Sequence, residues 1–515
     1  MNWTSGYRAD IDYTYGYYGE LAPGALDFAL LMSGHEPPQR DAMRYLELGF
    51  GQGVTANIAA AANIGEFWGA DFNPAHAAHA RSLGRISGAD TRFVDDSFAE
   101  LLARDDLPEF DYIALHGVWS WVSDENRRAI VEIVRRRLKV GGALYISYNN
   151  LPGWAAGMPL RHMMTLHAET AGSDAQGVVG RIDAAIQFGT RLAEAGGGYF
   201  AANPVAKTRL EAIGGQNRNY LAHEYFNRDW APMYFSDVNQ WLSDAKLAYA
   251  GSAHVIEQID GINLSPPQIE LLRTLPPGEM RETVRDYLTN QQFRRDIFTR
   301  GARRLSPLER LERLHQVRIV LTARPEDIPY EVETTLGKVG LRQDIYAQIV
   351  KALADDGAPP RTIGELAQKP GVNELRSDVL IEGVAVLLGT GRAHTALSDA
   401  EIDLVEPRTR RLNDHLLARA RSAGDIAHLA SPVTGGGVGV SRFDQMFLSG
   451  RAMGGRTPED WARHAWEVLS LQDQSLIKDG VVLDGADANL AELRAHAETF
   501  ADQRLPLLRR FRIAD

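Results

Sequence analysis

A glycine-rich turn between two short apolar segments constrains the fold more than any other feature of the sequence. Residues 44–74 read RYLELGFGQGVTANIAAAANIGEFWGADFNP. An apolar strand leads into the glycines, a small-residue helix is expected at 54–62, and a second strand at 66–70 ends at Asp71. This order predicts a mononucleotide-binding unit of a doubly wound parallel sheet. Glycine at Gly49, Gly51 and Gly53 lets the backbone turn tightly and approach a ligand, because no Cβ stands in the way.

The residues around this turn favour S-adenosylmethionine over a dinucleotide as its ligand. The glycines are spaced G-x-G-x-G, whereas dinucleotide-binding turns read G-x-G-x-x-G. Glu47 precedes the first glycine, and a carboxylate there suits a sulfonium and an amino group better than a pyrophosphate. Asp71 can accept hydrogen bonds from both ribose hydroxyls. In the later turn FVDDSF, Asp96 can accept from the adenine amino group and Phe98 can pack on the ring.

Two further strand-like segments, 110–115 and 143–148, end at His116 and Asn149. With the segments already described they make five strands with intervening helices between about residues 40 and 150, which predicts an α/β fold with a parallel sheet covered on both faces. Ligands of such sheets bind beyond the carboxyl ends of the strands. The predicted cofactor contacts at those ends are Glu47, Gly49, Phe50, Gly51, Gly53, Asp71, Phe72, Asn73, Asp96, Ser97, Phe98 and His116.

Composition limits the chemistry and the surroundings of the chain. The 515 residues contain no cysteine, which excludes disulfides, thiolate metal sites and cysteine nucleophiles, and we predict no metal site. The net charge of −12 argues against general nucleic-acid binding. The sequence has neither an apolar run of about eighteen residues nor a signal-peptide pattern at its start. We therefore expect a cytoplasmic protein. Its length of 515 residues predicts about two to four domains.

Two later segments carry weaker patterns. Residues 281–301, RETVRDYLTNQQFRRDIFTRG, read as a helical stretch that ends in a basic patch. Residues 434–440, TGGGVGV, lack the Lys-Ser/Thr ending of a phosphate-binding loop, and we expect a flexible turn there. Amphipathic patterns at 345–354 and 376–388, followed by a wing-like segment at 389–395, predict a winged-helix-like unit.

Several of these motifs together resemble one family. ELGFGQG, GADFNP, DDSF, LHGVWSWV and YNNLPGW resemble class I methyltransferases that carry a methyltransferase regulatory domain, and NYLAHEYFN, WAPMYF and LSPPQIELLRTLPPGEMR resemble that accessory domain. The best-known members are rickettsial protein-lysine methyltransferases, so the resemblance implies a Rossmann-like domain with mostly helical accessory domains and a homodimer. The implied division is a cofactor-binding domain with a Tyr-rich arm (1–155), a helical dimerisation insert (156–215), a regulatory-type domain (216–305) and a mostly helical C-terminal domain (306–515).

The resemblance also implies an acceptor, which we expect to be a lysine side chain of a protein. Its amine must be neutral to react, although its ordinary pKa is near 10.4, and a dry aromatic pocket lowers that pKa and holds the methylated cation. We predict His116, Asn149 and Tyr17 as catalytic residues. The predicted substrate contacts are Tyr13, Trp119, Trp121, His223 and Tyr225.

Alternatives remain open for these assignments. The N-terminal tyrosines either fold over the cofactor or pack on the edge of the domain, and the aromatic cluster at 219–226 either packs in a core or closes the acceptor pocket. His116 either acts as a general base or only touches the cofactor. The same first domain would serve an N- or O-methyltransferase of a small molecule or peptide, or a regulator that binds S-adenosylmethionine without catalysis.

Overall fold

The computed structural model describes residues 14–171, 177–216 and 218–515, and a seven-stranded sheet lies at its centre. The strands are β1 (Arg44–Leu48), β2 (Glu66–Ala70), β3 (Thr91–Val94), β4 (Phe110–Leu115), β5 (Leu138–Asn149), β6 (Ala248–Ser252) and β7 (Phe293–Thr299). Their order is β3-β2-β1-β4-β5-β7-β6; β7 is antiparallel to both neighbours, and the other pairs are parallel. The α/β, Rossmann-like fold class is confirmed.

The helices around the first five strands begin where the local sequence predicts. They are α1 (Pro23–Met32), α2 (Val54–Ala62), α3 (Pro74–Ser87), α4 (Phe98–Ala103) and α5 (Asp124–Arg137). Asn73 caps α3 by accepting from the amide of Ala75, and Ser123 caps α5 by accepting from the amide of Asn126. Every residue of α2 is buried, because this helix lies between the sheet and the C-terminal part of the chain and shares a hydrophobic core with it.

A helical insert separates β5 from β6. It contains α6 (Met158–Thr170), α7 (Gly177–Glu194), α8 (Gly198–Ala202), α9 (Pro204–Gly214) and α10 (Arg218–Phe226). These helices pack around a hydrophobic core of their own, which includes Trp154, Ile186 and Tyr225. In the described part of the chain, no helix is both long enough and apolar enough to cross a membrane.

The last two strands of the sheet lie beyond the five that the sequence predicts, within the segment expected to form the regulatory-type domain. Around them lie α11 (Phe235–Ser243), α12 (Asp260–Asn263), α13 (Pro266–Arg273) and α14 (Glu279–Thr289). The helical prediction for 281–301 is therefore wrong in its second half: α14 ends at Thr289, Asn290 follows with a φ of 49°, and β7 begins. Charged residues concealed this strand, because Arg294 and Asp296 are buried and bind each other.

The C-terminal part begins with α15 (Pro307–Gln316), β8 (Arg318–Leu321), β9 (Glu331–Thr334), β10 (Gly337–Gly340), α16 (Gln343–Ala354), β11 (Arg361–Thr362), α17 (Ile363–Leu366), α18 (Ser377–Gly389) and β12 (Ala393–Ala396). β11, β8 and β12 form a three-stranded antiparallel sheet, and β9 pairs with β10 as a hairpin. The helices predicted at 345–354 and 376–388 are present as α16 and α18. The winged-helix-like assignment stays a prediction.

The chain ends with α19 (Asp399–Ala420), β13 (His428–Ser431), β14 (Gly436–Gly439), α20 (Arg442–Ala452), α21 (Pro458–Ser470), β15 (Ile477–Lys478), β16 (Val481–Val482), α22 (Ala486–Thr499) and α23 (Leu505–Arg510). The flexible turn expected at 434–440 is wrong. This segment is largely buried, and β14 pairs with β13 in a hairpin against α2. Its glycines permit close packing rather than motion, as the contact with Tyr17 described below illustrates.

Candidate active site

The glycine turn after β1 has the backbone conformation that its sequence predicts. Gly49, Gly51 and Gly53 have φ values of 72°, 56° and 72°, in the left-handed region that favours glycine. A Cβ on Gly49 would lie 2.5 Å from Cγ2 of Val118, and one on Gly53 would lie 2.6 Å from Cβ of Ala80. The turn is therefore closed to side chains and presents its backbone at the carboxyl edge of the sheet.

Glu47 is a buried carboxyl beside this turn. It lies next to the last residue of β1, pairs with Gly69 and Ala114 in the flanking strands, and is 4% exposed. Burial and the nearby charge of Asp71 raise its pKa to about 8. Among the described residues its Oε2 has no hydrogen-bond partner. A buried acceptor without a partner is costly, and a cationic ligand would satisfy it, so Glu47 fits the sulfonium and amino group of S-adenosylmethionine.

Asp71 connects the glycine turn to the turn after β2. Its Oδ2 accepts from the amide of Gly51 at 2.8 Å, and its Oδ1 accepts from the amide of Asn73 at 3.0 Å. Nδ1 of His76 lies 3.2 Å from the same Oδ1. A carboxylate has about four lone-pair sites, so these partners leave room for one ribose hydroxyl. Binding both hydroxyls requires one of the present partners to move.

The acidic turn after β3 holds the third group of predicted cofactor contacts. Asp96 is partly exposed, and its Oδ2 accepts from Nη1 of Arg104 at 3.0 Å. Ser97 caps α4, with Glu100 completing the capping box, and Phe98 is the half-buried first residue of that helix. Asp96 and the ring of Phe98 thus lie together on one turn, as the adenine site would require.

Two further predicted cofactor contacts, Phe50 and Phe72, differ from each other in their surroundings. Phe50 is 6% exposed and packs edge-on against Phe93, with ring centroids 5.3 Å apart, in a small core that also includes Ala77 and Ala80. Its side chain therefore supports the glycine turn from inside the fold. Phe72 follows Asp71 directly and is half-buried.

His116 lies at the end of β4, between aromatic rings. Its ring stacks on Tyr18 with centroids 3.8 Å apart, and its Nδ1 lies 2.8 Å from the hydroxyl of Tyr145. Phe293, at the start of β7, meets it edge-on at 5.9 Å. Burial lowers the pKa of His116 to about 4, although the carboxylate of Glu20 acts in the opposite direction. The imidazole is therefore neutral near pH 7.

Asn149 ends β5 at the same edge of the sheet. It is 5% exposed, its backbone amide donates to Oγ of Ser120 at 2.9 Å, and its Cα lies opposite that of Phe293 in β7. Its Nδ2 has no hydrogen-bond partner within the residues that the structure describes. The end of β5 thus offers a buried donor, as the end of β1 offers a buried acceptor.

The described part of the N-terminal arm crosses this edge of the sheet. The amide of Tyr18 donates to Oγ1 of Thr55 in α2 at 3.1 Å. The hydroxyl of Tyr17, predicted to be catalytic, instead accepts from the amide of Gly437 at 2.6 Å, and its ring lies 4.7 Å from His428. Burial raises the pKa of Tyr17 to about 12. In the structure Tyr17 is thus bound to the C-terminal hairpin, while Tyr13 lies outside the described residues.

Three of the predicted substrate contacts, Trp119, Trp121 and Tyr225, lie in packed aromatic surroundings. Trp119 is 0% exposed, meets Trp241 edge-on at 5.9 Å and belongs to a hydrophobic core of the sheet. Trp121 is 9% exposed, with its ring 6.3 Å from Trp230. Tyr225 belongs to the core of the helical insert. This arrangement agrees with the core-packing alternative for the cluster.

His223 lies on α10, and its side chain is outside the described part of the chain. Sequence reasoning did not assign Glu20, Tyr145 or Arg295 to the site, although Arg295 belongs to the basic patch expected at the end of 281–301. The guanidinium of Arg295 lies between the carboxylates of Glu20 (3.8 Å) and Glu257 (3.3 Å). Arg295 lies on the unpredicted strand β7, and Tyr145 resembles any other apolar residue of a buried strand, so neither carried a usable signal.

Comparison with known proteins places these features in a family. Residues 46–142 match the model of a methyltransferase domain, and residues 217–300 match that of a predicted methyltransferase regulatory domain. An uncharacterized protein of Synechocystis is 37% identical over the full length of both chains. An uncharacterized protein of Rickettsia prowazekii is 26% identical over 47% of this chain and 41% of its own.

A solved structure shares the fold over almost the whole chain. PKMT2 from Rickettsia typhi, in complex with AdoHcy, superposes with a TM-score of 0.68 at 18% identity, covering 97% of this chain and 99% of that one. This likeness shows the fold around Glu47 and its glycine turn, and the family models and the full-length relative show the family. The chain belongs to the class I S-adenosylmethionine-dependent methyltransferases that carry a methyltransferase regulatory domain.

Proposed function

We propose that this methyltransferase N-methylates lysine side chains of a protein substrate. The observation that carries the proposal is the neutral His116, held between the rings of Tyr18 and Tyr145 at the carboxyl end of β4. The carboxylate of Glu20 and the guanidinium of Arg295, 3.8 Å apart, act in opposite directions on the pKa of both His116 and Tyr145. Aromatic rings, a neutral base and one nearby carboxylate suit an amine that arrives charged and reacts neutral.

These residues would act on the lysine in sequence. The carboxylate of Glu20 attracts the ammonium, and the rings of Tyr18 and Phe293 hold its charge with little water. Exclusion of water lowers the pKa of the amine, so that it releases its proton to the solvent as it enters the pocket and reacts in its neutral form. Since its pKa is about 4, His116 is a weak base at pH 7, and we assign it to accept a hydrogen bond from the neutral amine.

The cofactor side of the site would be held by the carboxyl edge of the first strands. S-adenosylmethionine, when bound, supplies an electrophilic methyl carbon that a neutral amine attacks as the carbon–sulfur bond breaks. Glu47 would hold its positive groups, Asp71 a ribose hydroxyl and Asp96 its adenine. Asn149, with its free Nδ2, would donate to a polar group at the transfer edge. Positioning and water exclusion then provide most of the catalysis.

The fold shared with PKMT2 from Rickettsia typhi also supports a protein acceptor. A small-molecule or peptide acceptor is the second candidate, and binding without turnover is the third.

We further propose that the protein acts in the cytoplasm as a homodimer through its helical insert. Light scattering during size-exclusion chromatography measures the mass of the assembly directly.

The acceptor is identified by labelled-methyl transfer. Full-length protein and labelled S-adenosylmethionine are incubated with a cell lysate separated into a protein fraction and a low-mass fraction. We expect label in the protein fraction, on lysine Nζ by peptide mass spectrometry, and less label with Asp71→Ala when the cofactor is below saturation. Label confined to the low-mass fraction would establish the small-molecule alternative, and cofactor binding without label in either fraction would favour the regulator.

A further inference from the structure

A cavity of about 340 Å³ lies beside β6 and the start of β7, between the segment that matches the regulatory-domain model and the β9–β10 hairpin. Its walls come from β6 and the turn after it, from α12 and α14, from the start of β7 and from the β9–β10 hairpin. No described residue that lines it is among the predicted cofactor contacts. The cavity is therefore a separate site.

Carboxylates dominate the charge of this cavity. Glu257, Glu282, Asp286 and Glu333 line it, together with two arginines. Both arginines already bind acids: Nη1 of Arg294 lies 2.5 Å from Oδ1 of Asp286 and its Nε lies 2.8 Å from Oδ2 of Asp296, while Nη1 of Arg285 lies 2.5 Å from Oδ1 of Asp260. Glu282 is shared between Arg294 (3.3 Å) and Arg285 (3.5 Å), and Glu257 pairs with Arg295 at 3.3 Å. The carboxylates still outnumber these arginines, so acceptor capacity remains in the cavity.

Asp286 shows where that capacity lies. The residue is 1% exposed, and one of its oxygens accepts from Arg294. Its other oxygen, Oδ2, meets no donor with full hydrogen-bond geometry in the described part of the chain, although the side chain of Asn150 lies near enough to lower the pKa of the carboxyl. Burial raises the pKa of this carboxyl to about 7, with Arg294 opposing the shift. A donor placed in the cavity would complete the hydrogen bonding of Asp286 and favour its ionised form.

The side chains favour an organic cation over a metal ion. Within 14–171, 177–216 and 218–515, no group of three or more His, Cys, Asp or Glu side chains is arranged to hold a metal. The cavity volume suits a ligand of several carbon atoms, and its lining includes the apolar Ala250 and Ile256. An alkyl chain with an ammonium head meets both requirements.

We propose that this cavity binds a small primary-ammonium ligand, whose ammonium donates to Oδ2 of Asp286 and is flanked by the carboxylates of Glu282 and Glu333. The site is joined to the methyl-transfer edge. Asp296, bound to Arg294, accepts from the hydroxyl of Tyr148 in β5 at 2.7 Å. The ion pair between Arg294 and Asp296 therefore connects the cavity to β5, the strand that ends at Asn149.

Calorimetry on the full-length protein tests the site, with 1,5-diaminopentane as the probe and 1,5-pentanediol as its uncharged match. We expect the diamine to bind at one site and the diol to give no heat. Asp286→Asn should weaken diamine binding by about tenfold or more, because it removes the charged acceptor. Added salt should weaken binding as well.

A second pair of variants tests the site without substituting a buried residue. Glu333 is exposed and lines the cavity, whereas Glu331, two residues earlier on the same strand, is exposed and outside it. Glu333→Gln should weaken diamine binding about threefold, and Glu331→Gln should leave it unchanged. Any of three results would overturn the proposal. They are no diamine binding at millimolar concentration, equal binding of the diol, and equal diamine affinity in Asp286→Asn, Glu333→Gln and Glu331→Gln.

Discussion

The hydroxyl of Tyr17 accepts a hydrogen bond of 2.6 Å from the backbone amide of Gly437, 420 residues further along the chain. The next residue, Tyr18, stacks on His116 at the end of β4. The C-terminal hairpin thus holds the arm that covers the transfer edge. We infer that the C-terminal part of the chain contributes to the active site through this contact.

A methyl group at position 437 should break the contact. A Cβ there would lie 2.8 Å from Cζ of Tyr17, whereas a Cβ on Gly439 would have its nearest neighbour at 3.9 Å. We expect Gly437→Ala to lower the free energy of unfolding by about 1–3 kcal/mol through overpacking. Gly439→Ala is the matched control and should have little effect. Equal denaturant midpoints for the two variants would argue against a tight arm–hairpin contact.

Asp71 should contribute directly to cofactor affinity. Asp71→Ala removes an acceptor for the ribose and also the partner of the Gly51 amide. We expect S-adenosylhomocysteine to bind more weakly by about 1–3 kcal/mol in calorimetry. Asp90→Ala, which removes an exposed carboxylate paired with Arg92, should leave the dissociation constant unchanged. An unchanged constant for Asp71→Ala would remove this residue from the site.

Glu47 should make the stability of the ligand-free protein depend on pH. Its pKa is raised from 4.5 to about 8 in the folded state, so folding favours the protonated carboxyl. The stability it contributes is fully present below about pH 4.5 and is lost as the pH rises through 8.

Glu47→Gln should therefore match the wild type near pH 4.5 and be more stable above pH 8, by an amount on the order of 4 kcal/mol. Denaturant unfolding across this range measures the difference. The same variant should bind S-adenosylmethionine more weakly, because it lacks the charge. Parallel stability curves for the two proteins would show that Glu47 ionises as an ordinary exposed carboxyl does.

His116 should remain neutral well below pH 6. Its pKa of about 4 predicts an NMR titration of the ring near that pH, with the resonance assigned by its absence from His116→Phe. The kcat of His116→Phe should be about 10- to 100-fold lower than that of the wild type, because the amine loses a hydrogen-bond acceptor. His496→Phe, on the distant helix α22, is the control. A titration near pH 6.5 would restore the general-base assignment.

The sequence predicted the first half of the sheet closely because its signals are local. The helix and strand expected at 54–62 and 66–70 have those bounds in the structure, since glycines, small residues and an acid at the strand end each act within a few residues. The strand β7 was missed because buried charges resemble surface charges in a sequence. Arg294 is 5% exposed and Asp296 is 1% exposed, and their ion pair makes this possible, together with the bonds from Arg294 to Asp286 and from Tyr148 to Asp296.

The role of the arm could be predicted only in part. Its richness in tyrosine left two interpretations open, a cover over the cofactor and packing on the domain edge, because the partner of each ring depends on contacts between distant segments. Tyr18 meets His116 across about a hundred residues, and Tyr17 meets a glycine strand that the sequence suggested was a flexible turn. Nothing local distinguishes these neighbouring tyrosines.

A crystal structure of the full-length protein with S-adenosylmethionine tests the account most directly. We predict the ligand at the Gly49–Gly53 turn, with its amino group about 2.7–3.2 Å from Oε2 of Glu47 and its ribose on Asp71. A ligand bound elsewhere, or bound at the turn with Oε2 of Glu47 still lacking a partner, would contradict it.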